Sequence, residues 1–391
     1  MSRYLPYSPD QVELLPPSVS AVLGGDHLCF FVHRVVERLD LSRFHESYAV
    51  EGGQLYHPSL LLKVWLYAYA LGITSSRRVE RRVVEDLAFR YLAGGAEPDY
   101  WALNAFRKRH ARALNDGFTQ VLELAREWGM RQLGTVAIDA TRIKASASPD
   151  KLVTLQRQQR ARMRRRVRGW QQACDADDPN QAAGGTVPVG ESALDQVAPG
   201  LSPLPRPQKR STTDPDARFL RSRSHFMMGY SAEIAVSDDH LIVAQRVTQS
   251  GNENASLEPM VEAVRANCGS PPARVVADSG FYSNHNLDRM LALGVDAYVP
   301  DSNLARELNL DRPPGPLRGS DPRLLRMREK MRAPDGRQTY RRRKALIEPV
   351  FGVLKEQRGL RGFRMRGRVK VAIELTLATL AYNLTRLYAH R

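Results

Sequence analysis

The stretch TVAID, Thr135 to Asp139, is where the chain changes its period. It is a short apolar run ending in an acid, the pattern of a buried strand with a carboxylate at its end. Upstream of Leu133 the spacing is helical. From His27 to Leu39, the residues Leu28, Phe31, Val32, Val35, Val36 and Leu39 recur at intervals of three and four. Gly72, Gly94, Gly95 and Pro98 then separate helices expected near 58–71, 76–93 and 99–127. Short helices on tight connections are the layout of a helix-turn-helix module and equally of a small helical bundle. The cluster Arg107, Lys108, Arg109 and His110 reads as a DNA-contacting surface or as a solvated face.

Downstream of TVAID comes an interruption. Residues 151–170 hold eight Lys and Arg and no acid, and 171–215 are rich in Pro, Gly, Gln, Asp and Ser. This reads as a basic helix followed by a flexible insertion. Two β-rich runs, Met228–Val236 and Leu241–Thr248, flank SDDH as a hairpin would. A helix near 255–267, a strand Arg274–Asp278, a helix near 284–293 and a strand Asp296–Val299 follow, with helices at about 341–359 and 369–388. The fold class is therefore α+β: an all-α N-terminal domain over 1–130, then a mixed-sheet domain over 131–391, with the insertion at about 150–215 after its first strand.

The 391 residues carry 58 Lys and Arg against 42 Asp and Glu, a net charge of +16. Such an excess draws polyanions before any specific contact forms. The longest apolar run, Ser59 to Ile73, is short and interrupted by Lys63, so it reads as a buried helix and no membrane partner is expected. No signal-peptide pattern opens the chain, and the three cysteines are far apart, which points to a cytoplasmic, reducing compartment. Neither CxxC nor HExxH is present, so no zinc site of recognisable spacing is expected.

Three acids stand where a sheet-borne active site would want them. Asp139 ends one apolar run, Asp278 ends another (RVVAD), and Glu348 lies in a basic helical stretch. Each has an ordinary alternative: Asp at a strand end commonly caps the next turn, and Ser279 and Gly280 follow Asp278. Together, hard oxygen donors from three separate elements suit magnesium-dependent phosphoryl transfer. In YRRRKALIEPVFGVLKEQRG, Lys355 lies seven residues after Glu348 and Lys344 four before, so all three fall on one helix stripe. The alternative is a plain i,i+4 ion pair of Lys344 with Glu348. Pro349 implies a helix that is kinked there or begins there.

These residues resemble the DDE transposases of bacterial insertion sequences that pair an InsH-like N-terminal domain with an RNase H-like catalytic domain. The likeness rests on YHPSLLLKVWLYAYALGITSSRRVERRVVEDLAFRYLAGG (Tyr56 to Gly95), FRKRH (Phe106 to His110), IDATRIKASAS around Asp139 and GYSAEIAV (Gly229 to Val236). It extends through VVADSGFYS around Asp278 and RKALIEPVFGVLKEQRGLRGFRMRG around Glu348. The resemblance implies that Asp139, Asp278 and Glu348 are the catalytic, metal-holding carboxylates for two Mg²⁺ ions, with Mn²⁺ able to substitute. It implies that Lys355 contacts DNA near the cleaved end. Other DNA contacts are expected from Lys344, Arg343, Arg107, Lys108 and Arg109. The related signature places Tyr and Arg seven and four residues before the Glu. Here Tyr340 and Arg343 lie eight and five before it, which leaves the arginine-like place to Lys344. The partners implied are double-stranded DNA, both terminal inverted repeats and target, and a second copy of the chain on that DNA.

Three rival readings use the same features. A catalytically inactive DNA-binding regulator or domesticated transposase shares the helices and charge, but the three acids argue against it. A structure-selective nuclease would cut without joining. A Rossmann-like nucleotide enzyme is set aside because neither GxGxxG nor GxxxxGK[ST] occurs.

Overall fold

In the computed structural model, the residues described are 18–46, 55–147, 152–154, 165, 209–222, 225–310 and 321–390. The first part is helical: α1 (Val19–Leu23), α2 (Leu28–Arg38), α3 (Ser42–His45), α4 (Pro58–Ala70), α5 (Ser76–Glu85), α6 (Leu87–Leu92), α7 (Tyr100–Arg109) and α8 (Ala111–Glu127). α4 opens with Pro58 at its first turn, where a missing N–H is harmless, and the His57 ring accepts from the Ser59 amide. Leu61, Leu62, Val64, Trp65 and Leu66 are all buried, as expected of a helix that is apolar all round. The Lys63 charge within that run is met by Glu37 at 2.5 Å. The helices expected over 76–93 and 99–127 are each broken once. Asp86 leaves the helical region and its carboxylate caps α6 by accepting from Ala88 and Phe89, while His110, at φ −100° and ψ 42°, separates α7 from α8.

The second part holds β1 (Thr135–Lys144), β2 (Leu152–Thr154), β3 (Lys209–Ser211), β4 (Arg218–Ser222), β5 (His225–Val236) and β6 (Ile242–Thr248). It continues with α9 (Leu257–Cys268), β7 (Arg274–Ala277), α10 (Asn284–Ala292), β8 (Asp296–Tyr298), α11 (Ser302–Asn309), α12 (Pro322–Arg332), α13 (Pro334–Gly352) and α14 (Arg368–His390). The sheet order is β4-β5-β1-β7-β8, with β6 also paired to β5. β1 is antiparallel to β5 and parallel to β7, which is parallel to β8. Only glycine fits at position 229, because a Cβ there would lie 2.4 Å from the Ile143 carbonyl oxygen on the neighbouring strand.

β2 and β3 pair antiparallel, so the two ends of the segment read as basic helix and flexible insertion are extended strands; its remainder lies outside the described residues apart from 165 and 212–215. β4, α11 and α12 were not legible in the sequence. α13 begins at Pro334 and runs through Pro349, so a start at Pro349 is excluded; it widens into a π turn over Val353–Gln357. α14 packs against α4 and α8 on one side and β6 on the other. Its buried Asn383 donates to the Ile242 carbonyl at 2.8 Å and accepts from the Ile242 amide at 2.9 Å, completing a strand that would otherwise leave both groups unpaired. Among the described residues no helix is long and apolar enough to cross a membrane.

Candidate active site

β7 stops beside the middle of β1. In the parallel register Ile138 pairs with Ala277, so the next residues, Asp139 and Asp278, emerge side by side where β7 ends and β1 runs on paired only with β5. That boundary is where a parallel sheet leaves room for a ligand. Val136, Ala137 and Ile138 on one strand and Val275, Val276 and Ala277 on the other are fully buried, which fixes both backbones up to the acids.

The two carboxylates are held differently. Asp278 starts a 3₁₀ turn, Ser279–Phe281, and its Oδ1 accepts from the Gly280 amide at 2.8 Å. The turn-capping role that its sequence context offers is therefore present. Asp139 accepts from its neighbour's amide, Ala140, through Oδ1 and from Arg343 through Oδ2 at 2.8 Å. Burial first, and then the charge of Asp278, push the Asp139 carboxyl up to about 6; Arg343 offsets only part of this.

Arg343 arrives from α13, which packs against β1, β7 and β8. The ring of the buried Tyr340 lies 5.9 Å from its guanidinium carbon. The phase of the helix therefore selects Arg343, rather than Lys344, as the arginine that meets the first acid; Lys344 is exposed on the adjoining surface. Glu348 is also exposed on α13. Five residues separate it from Arg343, which is about 140° around the helix. The structure thus brings Asp139 and Asp278 together and leaves Glu348 off that pair. Among the described residues no group of three His, Cys, Asp or Glu stands ready to hold a metal ion. Lys355 reaches β1 again, with Nζ 3.4 Å from the Arg142 carbonyl oxygen.

Sequence reasoning missed a third acid. Glu253 precedes α9, and its Oε1 accepts from Arg142 at 2.8 Å. Arg142 also donates to Ser231 and to the Gly251 carbonyl, so the pair is fixed from three sides. Glu253 Oε2 lies over Gly280, where a Cβ would come within 2.5 Å of it and 3.0 Å of Asp278 Oδ1. Burial, then Asp278, lift the Glu253 carboxyl to about 7 against the pull of Arg142, and Asp139 adds to the lift. Asp139 and Arg142 differ by an odd number along β1, so they leave opposite faces of the strand. The α13 side supplies one arginine–acid pair and the α9 side the other.

The remaining cationic residues lie elsewhere. Arg107 is buried, donating to Tyr69, Asn104 and the Thr74 carbonyl, whereas Lys108 and Arg109 are exposed at the end of α7.

A family model described as Transposase DDE domain matches residues 202–384, and one described as Transposase domain matches residues 18–109. The first takes in Glu253, Asp278, Arg343, Glu348 and Lys355, while Asp139 and Arg142 fall between the matched spans. No curated protein and no solved structure matches the chain.

Proposed function

Since the chain belongs to the DDE transposases of insertion sequences, we propose that it cuts DNA at the ends of such an element and joins them to target DNA. The reaction centre is Asp139 and Asp278, with Glu348 as the third carboxylate. The observation that carries this reading is the pairing of Ile138 with Ala277, which sets two acids at one strand boundary. The strand sequence β6-β5-β1-β7-β8, antiparallel up to β1 and parallel after it, supports an RNase H-like catalytic domain over 131–391. The helices of 1–130 then serve to recognise DNA.

Two hard oxygen donors that repel one another are a donor set suited to magnesium, and Asp139, Asp278 and Glu348 would hold it. Two such ions, or manganese in their place, would supply charge neutralisation at the phosphodiester and activate the attacking oxygen. The chain's own part is positioning. Arg343 holds Asp139 Oδ2 and keeps the carboxyl available as an anion near neutral pH. Arg142 holds Glu253 beside Gly280, and Glu253 Oε2, on a carboxyl lifted to about 7, can accept or return a proton there. Lys355 and the exposed arginines of α13 would bind phosphates without reading sequence. Joining reuses the same groups, because water and a 3′-OH both displace an oxygen from phosphorus. Holding two element ends at once calls for at least two copies of the chain on DNA.

The test is cleavage, with Mg²⁺, of a plasmid carrying the DNA that flanks this gene, comparing the wild type with Glu348→Gln and measuring binding in parallel. Wild type is expected to nick at repeat ends and give joined products, and the variant to bind and do neither. If both bind and neither cuts with any divalent ion, the catalytic assignment fails.

A further inference from the structure

The segment Arg361–Lys370, RGFRMRGRVK, alternates exposed Arg361, Arg364, Arg366 and Arg368 with buried Phe363 and Met365. Such alternation plants the apolar residues in the core and turns the cations out. The buried Glu374 on α14 fixes the backbone that does this, accepting from the Arg364 amide at 2.9 Å and the Met365 amide at 3.0 Å. Arg366 is steadied by a 2.9 Å bond from Nε to the Ser146 carbonyl.

Opposite this segment stand the start of α5 and the end of α7. Between them lies a cleft of about 380 Å³ whose walls include Ser75, Ser76, Lys108, Arg364, Arg366 and Lys370. None of its lining residues is acidic. Arg107 also lines it and is only 4% exposed; Thr74, Tyr69 and Asn104 take its terminal nitrogens, while Nε has no partner among the described residues. Ser75 makes no side-chain bond to the first turn of α5, so the positive end of that ten-residue helix remains uncapped by it. Exposed lysine and arginine and a helix N-terminus call for an anion, and Arg107, whose charge is already faced by the buried Glu374, adds a spare Nε donor. The cations continue outside the cleft through Arg77, Arg78, Arg361 and Arg368, all exposed, which favours a polyanion over a single small ion.

We propose that this cleft seats a backbone phosphate of duplex DNA, on elements other than those carrying Asp139 and Asp278. It would tie the helical part to the loop before α14, so that one phosphate contact spans both matched regions. The proposal rests on the transposase reading for its choice of polyanion.

The experiment is fluorescence anisotropy of a labelled duplex of arbitrary sequence across a salt series, without divalent ions. Wild type is compared with Arg366→Ala/Lys370→Ala and with Arg126→Ala/Arg265→Ala. The latter removes the same charge from exposed positions on α8 and α9. The cleft variant is expected to bind about tenfold more weakly, with the slope of log affinity against log salt reduced by about one. The control is expected to stay within about twofold of wild type, and Arg366→Lys/Lys370→Arg to restore binding. Circular dichroism checks that all variants are folded. Equal losses in the cleft and control variants would overturn the proposal, as would failure of the wild type to bind duplex at all. If binding divides as expected but no protein nicks DNA with Mg²⁺, the cleft stands and the catalytic reading falls.

Discussion

Replacing Asp139 by Asn should make the metal-free protein more stable, although it removes one partner of a buried ion pair with Arg343. Breaking such a pair ordinarily costs about 3–5 kcal/mol. Here burial and Asp278 outweigh Arg343, because the carboxyl is lifted from 3.8 to about 6. At roughly 1.4 kcal/mol per unit, ionising Asp139 destabilises the folded state by about 3 kcal/mol at neutral pH. Asn resembles the neutral acid, still offers an oxygen to Arg343, and escapes this penalty; about 1–3 kcal/mol should be gained. The pH dependence has a definite sign. A raised pKa means that the folded state holds the proton more tightly, so stability falls as pH rises from 3.8 to about 6 and is level above. The advantage of Asn should therefore be full at pH 7.5 and reduced to about half at pH 5. Urea unfolding in EDTA at the two pH values measures it. A variant less stable than wild type at pH 7.5, or an advantage that does not shrink towards pH 5, would refute the reasoning. Adding Mg²⁺ should raise the wild-type midpoint and leave that of the variant unchanged.

Glu253→Gln should slow DNA cleavage by about a hundredfold or more and remove the rising limb near pH 7 from the pH–rate profile; a profile that keeps that limb would rule out a proton-handling role for Glu253. Asn383→Ala leaves the Ile242 amide and carbonyl unpaired at a fully buried position, and should lower stability by about 2–4 kcal/mol in chemical denaturation, with no change in DNA affinity per folded molecule.

What could be read from the sequence was set by local pattern. Asp139 and Asp278 were legible because each ends an apolar run of strand length, and parallel pairing then puts them together. Glu253 was not. It lies in GNEN, a polar loop with no period, and is placed by Arg142, 111 positions away in the chain. The choice between Arg343 and Lys344 depends on helix phase, where one residue is worth about 100°. Spacing alone put Lys344 in the arginine-like place, and packing of Tyr340, Ile347 and Val350 against the sheet turned Arg343 inward instead. The helix breaks at Asp86 and His110 were hidden because the apolar spacing continues across them, while a carboxylate cap and a single non-helical residue interrupt the backbone.

The outward position of Glu348 and the contact of Arg343 with Asp139 follow from the packed phase of α13, and the charge balance of the site favours the same arrangement. α13 and the π turn after it reach β1 through Arg342 at Thr135, Arg343 at Asp139 and Lys355 at the Arg142 carbonyl, with Glu348 between the last two in sequence. Asp139 and Glu253 are already lifted by Asp278, so a further carboxylate brought to this boundary without a cation would lift them again. The guanidinium of Arg343 is the positive charge that meets Asp139, as that of Arg142 meets Glu253. While it faces Asp139, a residue about 140° away on the same helix cannot face it too. A divalent cation at the two aspartates would relieve the charge constraint, since it would neutralise the repulsion and compete with Arg343 for Asp139 Oδ2, while the helix phase set by Tyr340, Ile347 and Val350 would remain. Helix phase and charge thus act in the same direction on Glu348, and the Glu348→Gln comparison with Mg²⁺ measures whether its carboxylate is used all the same.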